Sequence, residues 1–133
     1  MTKRRATAYI DGFNFYNGTV KAEPSLKWLD VPKLCEQLLR GSHCDLRAVR
    51  YYTAKVFDIP AGGGQRRRQE VYLRALGTLP QVEVVFGQFK KRDKIVRLHT
   101  PLPGGVMKAR AKTIEEKGSD VNLATDLLWD VLH

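Results

Sequence analysis

The sequence predicts an α/β domain with a mostly parallel central sheet and helices on both faces, a three-layer arrangement. Short runs of strand-forming residues, Thr7 to Ile10, Leu46 to Thr53 and Val82 to Phe86, alternate with two stretches whose apolar residues recur at helical spacing. Such a β-α-β-α-β order implies parallel strands joined by right-handed crossovers. The first run also leads straight into Asp11-Gly12. That places a carboxylate and a sharp turn outside the carboxyl end of a strand, where open α/β sheets bind their ligands.

Each element has its own signal. Ala6-Thr7-Ala8-Tyr9-Ile10 is uncharged and rich in strand formers, and Gly12 lets the chain leave it sharply, with Asn14 three positions after Asp11. Asp30 reads as an N-cap and Pro32 as a first-turn residue for a helix through Leu34, Leu38 and Leu39 that ends before Gly41. Val49, Tyr51 and Tyr52 give the second strand its β character. Pro60 to Gly64 is a break, after which Val71, Tyr72, Ala75, Leu76 and Leu79 define the inner face of a helix from Gln65 to Leu79. Beyond the third strand, 94–99 and 106–114 read as an extended pair joined by Thr100-Pro101-Leu102-Pro103-Gly104-Gly105. Gly118 and Ser119 then open a helix to about Leu132, with Ser119 as its N-cap.

Length and composition bound the answer. At 133 residues with 43% hydrophobic content, a single domain spanning 1–133 is expected. No run approaches the ~20 apolar residues of a membrane span. The basic start Met1-Thr2-Lys3-Arg4-Arg5 leads into a strand rather than an apolar signal segment, so a cytoplasmic protein with no membrane partner is expected. Cys35 and Cys44 lack metal-ligand spacing, and Cys35 sits among leucines as a core thiol.

The net charge of +9 is concentrated in two stretches. Residues 64–78 hold four basic residues and one acidic, and residues 88–117 hold nine basic and three acidic. Lys108, Arg110 and Lys112 alternate with uncharged residues, so period two puts all three on one face of a strand. Such a face suits either a charged edge that resists aggregation or an arm tracking a phosphate backbone.

The segment Lys117-Gly118-Ser119-Asp120-Val121-Asn122 supplies a second carboxylate at an element boundary, with Asp126 six residues on. Asp120 is expected on the helix face shared by Leu123, Ala124, Leu127 and Val131, at the mouth of the crevice. Asp126 then lies about 120° round the helix and about 9 Å along it, too far to join Asp120 on one ion directly. Two carboxylates converging at 4 Å repel by roughly 4 kcal/mol at an effective dielectric of 20, so a cation is expected with them. Oxygen donors without Cys or His favour Mg2+ or Mn2+.

Together the Asp11-Gly12-Phe13-Asn14 and Lys117-Gly118-Ser119-Asp120-Val121 segments resemble the NYN family of PIN-like ribonucleases, from about Thr7 to Leu128. The resemblance implies a PIN-like fold with the 94–114 pair as a basic β-hairpin insertion. It implies a metal-dependent endoribonuclease in which Asp11 and Asp120 hold Mg2+ or Mn2+, Asn14 positions water or substrate, and Asp126 acts in an outer shell or on a second ion. RNA would be gripped by Lys117, by Lys108, Arg110 and Lys112, and by Arg66 and Arg67. Family members continue into a further strand with an acidic motif, which this sequence does not contain, so the domain is expected to be truncated after the helix 119–132. An RNA-binding or interaction module of little or no activity on the same fold is the alternative. A receiver or a haloacid-dehalogenase-type phosphatase is disfavoured, because Asp11 lacks the acidic neighbours those folds place at the first strand. The same truncation leaves Thr7 to Ile10 as an unpaired edge, and a homo-oligomer through that edge or the last helix is expected.

Overall fold

A computed structural model describes residues 2–58 and 62–133. It is a mixed α/β structure in which β1 (Arg4–Asp11), β2 (Cys44–Thr53) and β3 (Val82–Phe86) form a parallel sheet in the order β1-β2-β3. A separate antiparallel pair is made by β4 (Gln88–Leu102) and β5 (Val106–Lys117). The helices are α1 (Gly12–Phe15), α2 (Val31–Leu38), α3 (Gln65–Gly77) and α4 (Ser119–Leu132), with a π-helical turn at Tyr16–Val20 and a 3-10 turn at Pro24–Trp28.

The strand β2 is central because its residues suit burial on both sides. Val49, Tyr51, Tyr52 and Thr53 are all buried. Val49 and Tyr51 face the core with Val31 and Cys35 of α2 and Leu73 and Leu76 of α3. Fully burying such a side chain contributes about 1.5–3 kcal/mol before entropy is charged against it. On the alternate positions, Arg50 and Tyr52 meet side chains of α4. As the capping signals predict, the Asp30 carboxylate accepts from Lys33 N at 3.1 Å and Pro32 sits in the first turn of α2.

Several boundaries differ from expectation. The hairpin is longer than 94–114, running from Gln88 to Lys117, with its turn narrowed to Pro103–Gly105. The strand β4 is exposed on most positions, so no apolar alternation marked its first half. Residues 59–61 of the expected 60–64 break lie outside the described residues. The strand β1 has one neighbour, β2, so its other edge is open among the described residues, as the sequence led us to expect. No described helix is long and apolar enough to cross a membrane.

Candidate functional site

The carboxyl end of β1 is a tightly built turn. Asp11 Oδ1 accepts from Phe13 N at 3.1 Å and Asn14 N at 3.0 Å, so Asp11 caps α1. Its Oδ2 accepts from Asn14 Nδ2 at 2.8 Å. Asn14 therefore spends its amide nitrogen on Asp11. Between them Gly12 is pressed against β2, where a Cβ would stand 2.5 Å from Tyr51 Cε1 and 2.7 Å from Tyr52 O. Only glycine fits that approach without moving the backbone.

Helix α4 faces the sheet with a different set of residues from the one expected. Asn122, Leu123 and Asp126 are half-buried, whereas Asp120, Ala124, Leu127 and Val131 are exposed. The reason is donor satisfaction. Tyr52 donates to Asp126 Oδ2 at 2.9 Å, Arg50 Nη1 to Asp130 Oδ2 at 2.9 Å, and the Tyr9 hydroxyl to the same oxygen. Turning an apolar face inward would leave three polar groups of β1 and β2 without these partners. Burial, followed by the adjoining carboxylate, pushes the phenols of Tyr52 and Tyr9 above their ordinary range, so both remain O–H donors. Asp120 is exposed, and its Oδ1 accepts from its neighbour Val121 N at 2.9 Å. Ser119 is not the N-cap: Gly118, at φ +95°, holds that position, and Ser119 N donates to Glu116 Oε1 at 2.9 Å.

Each carboxylate of the expected centre has a local hydrogen-bond partner. Asp11 is committed to its own turn, Asp126 to Tyr52 and Asp120 to its own helix start. Among the described residues no three His, Cys, Asp or Glu side chains are grouped so as to hold a metal ion.

What the structure does assemble beside Gly12 is a cavity of about 460 Å³. Tyr16, Tyr51 and Tyr72 supply aromatic walls, and Lys21, Lys27 and Arg68 supply cations. No carboxylate lines it, and none of the three cations forms an ion pair among the described residues. Tyr51 and Tyr72 meet edge-on with centroids 6.3 Å apart, and Tyr51 OH lies 3.4 Å from Gly12 O. Burial raises both phenols, Tyr51 the more strongly, so both remain O–H donors at neutral pH, that of Tyr51 directed to Gly12 O. At the rim, Gln69 donates from Nε2 to Ala54 O at 2.8 Å and accepts from Val56 N at 3.0 Å, which fixes the chain leaving β2. Sequence reading missed this cavity because its lining comes from separate segments. The one available signal was the alternation of Val49 and Tyr51 against Arg50 and Tyr52 in β2.

The remaining expected residues do not line it. Lys108, Arg110 and Lys112 share one hairpin face, as period two predicted, opposite Arg97, Ile95 and Asp93. Lys117 pairs with Glu115 at 3.4 Å. Arg66 pairs with Glu70 at 3.0 Å, and Arg67 is exposed. The hairpin base packs Phe89 onto Phe13 at 5.4 Å and Phe57 at 6.2 Å, so the ribbon is anchored next to the Asp11 turn.

Comparison with known proteins adds a relative. The chain is 33% identical over 148 aligned positions to a 6-hydroxy-3-succinoylpyridine 3-monooxygenase, HspA, of Pseudomonas putida (strain DSM 28022 / S16), covering 95% of this chain and 47% of that protein. The chain therefore spans about half the length of the relative it matches. No family model matches the chain, and no solved structure matches it significantly. This finding overturns the expectation of a metal-dependent endoribonuclease. A relative matched over almost the whole chain is named for an oxidoreductase, not for a hydrolase of RNA.

Proposed function

We propose that this chain belongs to an oxidoreductase that inserts oxygen into a small aromatic acid. The 33% identity extending over 95% of the chain to a monooxygenase carries the reading. In such a reaction one atom of O2 enters the substrate and the other leaves as water, which requires two protons and two electrons from a donor of the nicotinamide or flavin class. The relative's named substrate joins a pyridine ring to a succinoyl chain. The aromatic and cationic lining of the cavity beside Gly12 is compatible with both parts.

The fold is, in this reading, PIN-like and of the NYN kind. The β1-β2-β3 parallel order supports it, as does the placement of α2 and α3 on the Val49–Tyr51 side and α4 on the Arg50–Tyr52 side. A shared fold does not carry a shared chemistry, so the same scaffold can serve oxygenation.

The test is isotopic. Protein supplied with 6-hydroxy-3-succinoylpyridine, a reduced nicotinamide or flavin and 18O2 should yield a product containing one labelled oxygen atom. Substrate left unconsumed with either donor would overturn the assignment.

A further inference from the structure

The geometry points to the cavity beside Gly12 as a binding site for a planar aromatic ring carrying one carboxylate, with Lys21, Lys27 and Arg68 holding the anion and the Tyr51–Tyr72 pair the ring. This rests on the oxidoreductase reading for its biological sense, but its physical argument stands on the lining. A volume of about 460 Å³ is within the range of small-molecule sites and suits one ring with a short chain. Three cations converge on it with no carboxylate among the lining residues. By contrast, Arg50 has Asp130 at 2.9 Å and Glu83 at 3.4 Å, and Arg66 has Glu70 at 3.0 Å, whereas Arg68 Nη1 finds only the Gly63 carbonyl at 3.0 Å. An uncompensated group of three calls for an anion from outside.

The aromatic share follows from the other wall. Tyr51 is buried and meets Tyr72 edge-on, and the Trp28 ring stands 6.1 Å from Tyr72, so both phenols have aromatic neighbours. A ring laid against it gains the offset or edge contacts that aromatic pairs prefer. Both hydroxyls stay protonated at neutral pH, because burial raises them; Tyr51 donates its proton to Gly12 O, and Tyr72 can donate to a ring hydroxyl or carbonyl oxygen. Gly12 completes the design: its missing side chain lets Tyr51 stand where it does, and it links the cavity wall to the Asp11 turn.

Calorimetric titration with 3-succinoylpyridine, which has the ring and the acid chain but needs no turnover, tests the site. Binding should be at least tenfold tighter for the acid than for its methyl ester, and succinate, without a ring, should bind more weakly still. Replacing Lys21, Lys27 and Arg68 together by glutamine should weaken acid binding at least tenfold and abolish its preference over the ester. Replacing Lys90, Arg92 and Arg97 of the hairpin removes the same charge at a distance and should change neither. Equal affinity of acid and ester on the wild-type protein would overturn the proposal without any variant, as would an unchanged acid affinity in the folded cavity variant. Adenosine monophosphate binding more tightly than the acid would assign the cavity to a nucleotide and overturn it too. Binding as expected without oxygen transfer would sink the oxidoreductase reading and leave this one standing. Oxygen transfer unaffected by the cavity variant would do the reverse.

Discussion

Gly12 is where one atom decides the shape of the site. A methyl group there would overlap the Tyr51 ring at 2.5 Å and the Tyr52 carbonyl at 2.7 Å, so Gly12→Ala must displace β2 or the first turn of α1. Overpacking of this kind costs about 1–3 kcal/mol, to be read from the urea midpoint, and the same variant should loosen ligand binding in the cavity. The tyrosines give a second test at this scale. Tyr9, Tyr51, Tyr52 and Tyr72 all have phenols raised above the ordinary value near 10 in the folded protein. A group whose folded value is raised contributes stability fully below its unfolded value and loses it as pH climbs through the folded one. Stability should therefore begin to fall only above about pH 10 from these groups. The native protein should show delayed tyrosinate absorbance that is released on unfolding in urea at pH 10.5. A native absorbance titration superimposing on that of the unfolded chain would contradict the assigned burial.

Among the elements, helix α4 separates what sequence periodicity reveals from what it hides. The strands and α2 were legible because their signals are local: β-branched and aromatic runs, Asp30 three residues before the amide it caps, Pro32 in the first turn. In α4 the partners that decide which face turns inward lie far away in the chain, Tyr52 for Asp126 and Arg50 and Tyr9 for Asp130. No pattern within 119–132 reports them, so an apolar face was expected where polar residues, Asn122 and Asp126 beside Leu123, are the half-buried ones. The cavity was hidden for a related reason, since its cations come from the segment after α1, the 3-10 turn and α3, and only the fold brings them together. This contrast predicts unequal mutational costs. Leu76→Ala in α3, at 4% exposure, should cost about 2–5 kcal/mol of unfolding free energy, while Leu128→Ala in α4, at 62%, should stay within about 0.5 kcal/mol. Comparable losses from the two would mean that α4 is packed the other way round.

For the whole molecule, the surface divides into regions of opposite character. The hairpin presents exposed cations, whereas Leu128, Trp129, Val131 and Leu132 leave the last turns of α4 apolar and exposed, on a helix that packs against the open-edged β1. An open strand edge near exposed apolar side chains favours association. Sedimentation should show mass rising with concentration in the micromolar range, and Val131→Glu with Leu132→Lys should suppress it. A constant monomer mass would show the edge to be protected. The central claim, that a monooxygenase-like chain holds an aromatic acid in the cavity beside Gly12, is tested most directly by oxygen transfer compared between two proteins. Under 18O2, with reductant and 6-hydroxy-3-succinoylpyridine, wild-type protein should place one labelled atom in the product. The glutamine variant of Lys21, Lys27 and Arg68 should do so with KM raised at least tenfold and kcat little changed, the signature of lost substrate binding. An unlabelled product, or a KM that the variant leaves where it was, would contradict the account.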